Sequence, residues 1–299
     1  MNPFSPALTL VLSPFLLSVI NRSKALLAGR RGAPLLQPYF DLVRLVKKGV
    51  VYSDVSAGLV QLAPVCNLAA LFCCALLVPL GPLPACVSFQ GDFILLAYLM
   101  GLGRFVTMLG ALDTGSSFEG MGASREAFFA ALAEPAFFLA MAGLSRMTGS
   151  LSLAGMLQTI SAEQWLHGAP SLLLILVALF LVFLAENARI PVDDPTTHLE
   201  LTMIHEVMIL DHSGPDLAMI EYGVAIKIWL MAAISASILV PSGTSLLWLP
   251  LFFLLMIIIG VLVALVESSM ARLRLIRVPQ LLIGAGVFAG LALFLEFAQ

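Results

Sequence analysis

Residues 170–206 read PSLLLILVALFLVFLAENARIPVDDPTTHLELTMIHE. The first half is an apolar run long enough to cross a bilayer as a helix, which takes about 20 residues. The second half crowds together Glu186, Arg189, Asp193, Asp194, His198, Glu200, His205 and Glu206. The apolar half sets the fold class. The charged half sets the functional question, because the chain is only 11% charged.

The whole chain has 299 residues, is 60% hydrophobic and has a mean hydropathy of +1.03. Its 15 basic and 18 acidic side chains are too few to cover a soluble surface of this size, since soluble domains carry about 25% charged residues. The composition defines a polytopic, all-α membrane protein. The net charge of -3 says little about partners, because charge is confined to particular loops. No phosphate-binding glycine loop, Ser/His/Asp arrangement or nucleic-acid patch stands out. The opening MNPFSPALTLVLSPFLLSVI lacks a basic n-region and a small-residue cleavage site. It reads as a retained membrane helix rather than a signal peptide. Cys66, Cys73, Cys74 and Cys86 show no CxxC spacing and read as small buried hydrophobes.

Eight windows qualify as spans: about 3–22, 62–82, 91–112, 126–148, 169–188, 221–240, 247–268 and 279–298. The fourth contains Glu134-Pro135, where a kink or local break is expected. Loops fall near 23–61, 83–90, 113–125, 149–168, 189–220, 241–246 and 269–278. Arg22, Lys24, Arg30, Arg31, Arg44, Lys47, Lys48, Arg125, Arg189, Arg272, Arg274 and Arg277 lie in or beside loops on one side. The other side carries only Arg146. The positive-inside rule puts the basic loops in the cytoplasm and both termini outside a bacterial or archaeal cytoplasmic membrane. No strong internal repeat of the kind found in secondary transporters appears.

Charges in a cytoplasmic loop need only be solvated. HLELTMIHE (198–206) has the spacing of a short amphipathic helix, with Leu199, Met203 and Ile204 inward and His198, Glu200 and Glu206 toward water. His205-Glu206 begins like the HExxH zinc motif, but the second His position is Ile209, so no metal site is expected. Charges inside spans are harder to dismiss, because a carboxylate at the bilayer centre costs about 2.5–3.5 kcal/mol on insertion scales. Glu134 lies within the fourth span and Arg104 about two-thirds along the third. Glu186 ends the fifth, Glu221 and Lys227 lie early in the sixth, and Glu267 ends the seventh. The candidate ion path is Glu134, Glu186, Asp193, His198, Glu200, Asp113, Arg104 and Lys227.

Residues 30–48, RRGAPLLQPYFDLVRLVKK, resemble the first cytoplasmic loop of the H-type membrane subunit of respiratory complex I. Arg31, Gly32, Leu36, Gln37, Asp41 and Lys47 or Lys48 match its pattern, while Ala33-Pro34 replaces the immediate Gly-Pro. Residues 186–201 resemble that family's E-x-N-R-x-P-F-D and E-x-E-x-E-L signatures at Glu186, Arg189, Pro191, Asp193, Glu200 and Leu201. Val192 replaces the Phe, and Thr196 and His198 stand at two of the acidic positions. LDTGSSFEGMGASREAFFAALAEP (112–135) and ESSMARLRL (267–275) are similar to the membrane anchor of formate hydrogenlyase and related group 4 membrane-bound nickel–iron hydrogenases.

The resemblance covers almost the whole chain. It implies a subunit with no redox centre of its own, whose cytoplasmic loops bind a peripheral arm. Nickel–iron centre and iron–sulfur clusters would sit on partners: hydrogenase large and small subunits and an iron–sulfur protein. Buried acids would link that arm to antiporter-like membrane subunits that move protons or sodium. His198 would relay protons in place of a carboxylate. The implied arm interface is Arg30, Arg31, Gln37, Asp41, Arg44, Lys47, Lys48, Arg125 and Arg189. A quinone-chamber subunit of an NADH–quinone oxidoreductase and a free-standing secondary transporter are the alternatives.

Overall fold

A computed structural model describes residues 3–52, 56–193, 203–240 and 246–298. The described residues form ten α-helices and no extended strand. They are α1 (Phe4–Leu27), α2 (Gln37–Val46), α3 (Leu59–Leu77), α4 (Asp92–Asp113), α5 (Ser117–Thr148), α6 (Leu153–Gln158), α7 (Ala162–Glu186), α8 (Gly214–Leu239), α9 (Leu249–Ser269) and α10 (Val278–Ala298). All but α2 and α6 belong to the eight segments long and apolar enough to cross a membrane. The chain is a multi-pass, all-α membrane protein.

The helices exceed the apolar windows. α5 starts at Ser117, where a loop to residue 125 was expected, and α7 starts at Ser161–Ala162 rather than 169. A hydropathy window measures bilayer thickness, whereas caps set helix length. The Ser161 hydroxyl accepts from Gln164 N (3.2 Å) and the Gln164 side chain accepts from Ser161 N (2.8 Å), a reciprocal capping box. The helix α5 runs through Pro135 without the expected local break.

The most buried span is α8. Its stretch from Ile228 to Ile234 is buried on every side, as expected of a helix that is hydrophobic all round. α1, α3, α7 and α9 pack around it, α10 packs on α5 and α7, and α4 pairs with α3. Small residues permit the close approaches that drive helix packing in lipid. A Cβ on Gly103 of α4 would stand 2.4 Å from Asn67 Oδ1 on α3.

The chain alternates direction, so one face of the bundle carries the ends of α1, α4, α7 and α9 and the starts of α3, α5, α8 and α10. The loops rich in Lys and Arg lie on this basic face. On the opposite face, the fully buried Asp92 staples two segments. Its Oδ1 accepts from Leu153 N at the start of α6, and its Oδ2 accepts from Phe89 N (3.3 Å) and the Ser152 hydroxyl (3.4 Å). Of the cysteines, only Cys74 is buried; Cys66 and Cys73 sit on the outside of the bundle and Cys86 is half-buried. An apolar span exposes its small residues to lipid as readily as to the core, so the expectation of buried cysteines fails there.

Candidate functional site

The helix α7 ends in a Schellman turn: Ala188 N donates to Ala185 O (3.2 Å) and Arg189 N to Leu184 O (2.8 Å). Ala188 takes the left-handed conformation at φ 49°, a place usually held by Gly. This turn leaves Glu186 in the last helical residue, inside the bundle, and sends Arg189 the other way.

Three spans meet at Glu186. Arg104 from α4 places Nη2 3.0 Å from Glu186 Oε1, and Lys227 from α8 places Nζ 2.8 Å from Oε2. Two more carboxylates from α5 lie further out on the same guanidinium: Glu134 Oε1 at 3.7 Å from Nη2 and Glu126 Oε1 at 3.8 Å from Nε. The Arg104 and Glu186 side chains are each 7% exposed, whereas Glu134 is 44% exposed and forms the rim. Three acids thus surround two bases in a low-dielectric interior, where a unit charge acts strongly over several ångströms. Arg104 Nε is buried and makes no hydrogen bond. Next to it lies a cavity of about 40 Å³ lined by Asn67, Thr107, Glu126, Lys227 and His205, space for about two or three waters.

A second ionic layer closes the basic face. Glu267, at the end of α9, pairs with Lys24 (2.8 Å) and Arg189 (3.4 Å). Asp193 pairs with Arg272 (2.9 Å), and its Oδ2 accepts from Ile204 N and His205 N, both at 3.1 Å. Asp193 therefore pins the chain that enters the 3-10 turn Glu206–Ile209. That turn packs on α5 where Gly122 has no side chain; a Cβ there would meet Val207 at 2.4 Å and Ile204 O at 2.9 Å. Arg125 Nη1 donates to Met203 O (2.9 Å) and holds this segment, while Arg189 is buried against Glu267.

Between α1, the turn and α8 lies a wider cavity of about 420 Å³, lined by Asn21, Arg189, His205, Glu206, His212 and Glu221 among others. Its loop groups are perturbed. Burial, then the nearby charge of Lys227, pushes the His205 imidazole down to about 4. Burial, then the negative charges of Asp193 and Glu221, pushes Glu206 up to about 7. Burial lowers His212 as well. Near neutral pH His205 is therefore uncharged and Glu206 is half-protonated. The expectation that Glu206 faces water fails: it is half-buried, while Met203 and Ile204 are buried as expected.

The structure thus brings together Arg104, Glu134, Glu186 and Lys227, with Asp193 in the adjoining layer. Asp113 stands apart: its carboxylate accepts from Ala57 N (3.0 Å), Leu59 N (2.9 Å) and Val60 N (3.4 Å), capping α3. His198 and Glu200, with Asp194, Thr196 and Leu199, lie outside the described residues. Arg30, Arg31, Arg44, Lys47 and Lys48 are exposed on the basic face, and Gln37 donates to Asp41 (2.8 Å) along α2. Sequence reasoning missed Glu126 as a member of the cluster, although it lies two helical turns before Glu134. His205 stands out in the sequence only as the start of an incomplete zinc motif. Among the described residues no group of three or more His, Cys, Asp or Glu is placed to hold a metal.

The described residues thus form an all-α bundle with eight candidate spans and a charged cluster beneath one loop-rich face. Known proteins agree with this. The sequence pattern of the NADH dehydrogenase family matches residues 4–297, and the chain belongs to that family. It is 29% identical to formate hydrogenlyase subunit 4 of Escherichia coli K12 over 97% of this chain and 96% of that one. It is 30% identical to hydrogenase-4 component C of the same organism, over 90% and 86%. The H-type subunit of the NADH-quinone oxidoreductase of Rubrobacter xylanophilus is 25% identical over 70% and 62%. The solved membrane-bound sulfane sulfur reductase, an archaeal respiratory membrane complex, contains a chain with the same fold, with a TM-score of 0.83 at 17% identity over 97% and 96%. The chain is a complex I-like membrane subunit of an oxidoreductase.

Proposed function

We propose that this subunit anchors a peripheral redox arm of the group 4 hydrogenase type and couples its electron transfer to ion movement. The observation that carries this is the Arg104–Glu186–Lys227 cluster, set inside the spans and next to the basic face. Such a cluster has a charge balance that one added or removed proton changes, and its low dielectric transmits that change to neighbouring membrane subunits. The cation pair balances Glu186, and Glu134 at the rim offers a proton site toward a partner. Asp193 stands at the cytoplasmic mouth. Moving a charge against 100 mV costs about 2.3 kcal/mol, so a path needs such intermediate sites.

The arm supplies the electron chemistry. Its nickel–iron centre and iron–sulfur clusters belong to hydrogenase large and small subunits and an iron–sulfur protein, and antiporter-like subunits take up the ion work. The exposed Arg30, Arg31, Arg44, Lys47 and Lys48 form the docking surface, on the cytoplasmic side of the inner membrane with both termini outside. Extended identity to formate hydrogenlyase and hydrogenase-4 subunits supports this over a quinone-chamber subunit, whose H-type relatives match a smaller share of both chains. In the purified complex, nickel supports the proposal, and flavin with quinone reductase activity supports the alternative.

The test is Glu134→Gln in the whole complex, reconstituted in vesicles. It keeps shape and removes titration. Ion movement should fall at least tenfold while the arm stays bound. Wild-type ion movement would place the path elsewhere. Reversing charge at Arg44 and Lys47 together should release the arm from membranes; an arm that stays bound would assign that surface to lipid headgroups.

A further inference from the structure

The inner cavity beside Arg104 and the outer cavity beside Glu206 are separate spaces, and His205 lines both. Val224 is the other residue they share, and it carries no proton. Among the described residues His205 is therefore the one titratable side chain standing in the wall between them. Its Nε2 is buried and without a hydrogen-bond partner, an unusual state for a buried polar atom. Its backbone is fixed, because Asp193 accepts its N–H at 3.1 Å and Arg272 holds Asp193 at 2.9 Å. The site is thus an imidazole on a fixed backbone, its Nε2 without a hydrogen bond, placed between two polar cavities.

We infer that His205 is the proton-transfer group joining the outer cavity to the inner charge cluster. This rests on the coupling role proposed above and names the residue through which the cluster is loaded. One ring nitrogen takes a proton from water or from the Glu206 carboxyl in the outer cavity, giving an imidazolium. The other nitrogen then releases its own proton into the inner cavity, to water or to the Glu126 carboxylate. The ring returns to neutrality in the other tautomer, and reorientation resets it, so one proton crosses per cycle and no charge remains.

The surroundings suit a transient carrier. On the inner side Arg104, Glu126, Glu186 and Lys227 face it, with two bases opposing a lasting positive charge. On the outer side stand Glu206, Glu221 and Arg189. Burial and Lys227 keep the ring neutral at rest, so it holds a proton only in passage. Two nitrogens on opposite edges of one ring do what a single carboxylate would have to do by swinging.

The experiment uses the complete complex in vesicles, comparing His205→Gln, His205→Ala and, as control, Glu186→Gln. Arm binding and the arm's reaction with soluble dyes report that assembly is intact. Coupled ion movement in His205→Gln should fall about tenfold or more, in line with the loss of a positioned proton carrier. In His205→Ala, added imidazole should restore it, which a purely structural role would not allow. The inference is overturned if His205→Gln moves ions at the wild-type rate, or if imidazole fails to restore an assembled His205→Ala complex. If Glu186→Gln is impaired while His205→Gln is normal, the cluster keeps its role and only this inference fails. If both are normal, the coupling reading fails with it.

Discussion

Asp92 and Glu186 are both buried carboxylates at the ends of membrane helices, yet they are built in opposite ways. Asp92 is surrounded by donors fixed in the backbone, from Leu153 and Phe89, with a hydroxyl from Ser152. Its bonds tie α4 to α6. Glu186 is held by two side-chain cations, beside further acids and a cavity, with Arg104 Nε and His205 Nε2 making no hydrogen bond nearby. Saturated polar groups fix a fold, whereas under-saturated ones in a cavity can change state. On the function proposed above, Asp92 is a structural acid at one end of the bundle and Glu186 an exchangeable one near the other.

The largest effect is expected from Arg104→Leu. It leaves Glu126, Glu134 and Glu186 with Lys227 alone, and breaking such a buried pair costs about 3–5 kcal/mol. Thermal unfolding in detergent should show this. Arg104→Leu combined with Glu186→Leu should regain part of the stability, since Lys227 then loses its partner, while coupling stays lost. If the double variant also couples, the contrast between the two acids collapses.

A smaller loss is expected for Asp92→Asn. Its amide NH2 would face backbone donors, leaving buried groups unsatisfied at about 1–3 kcal/mol. Protein that survives should move ions per electron at the wild-type ratio. A changed ratio would mean that the opposite face takes part in coupling.

The smallest effects concern pH. Glu206, raised to about 7 from 4.5, adds stability that is complete below 4.5 and lost as pH rises through 7. His205, lowered to about 4 from 6.5, adds stability that is complete above 6.5 and lost as pH falls through 4. Relative to wild type, Glu206→Gln should gain stability from pH 5 to pH 8, and His205→Gln should gain it from pH 7 down to pH 4. Each slope should amount to about 1–2 kcal/mol after allowance for solvent screening. Slopes of the same sign in the two variants would show that these groups do not sense the burial described.

Much of this was legible in the sequence, for physical reasons. Apolar runs of bilayer length stand out, so the spans were visible, and charges inside them are costly enough to mark Arg104, Glu134, Glu186 and Lys227. What was illegible depends on which way side chains turn after the helix ends. Asp113 resembles a path residue by its position, but the chain folds back so that it caps α3. Glu126 hid in a segment at the edge of a loop, because helix α5 extends past the apolar window. His205 was obscured by its neighbour Glu206, since the pair looks like the start of a metal motif in one dimension, while its two cavities exist only in three.

The central claim is that Glu186 and its cations form a switchable charge site rather than a staple. Its most direct test is the number of ions moved per electron in vesicles containing the whole complex with Glu186→Gln, measured beside Asp92→Asn. Glu186→Gln is predicted to lower this ratio at least tenfold with the arm still bound, while Asp92→Asn leaves it unchanged. A wild-type ratio in an assembled Glu186→Gln complex would contradict the claim.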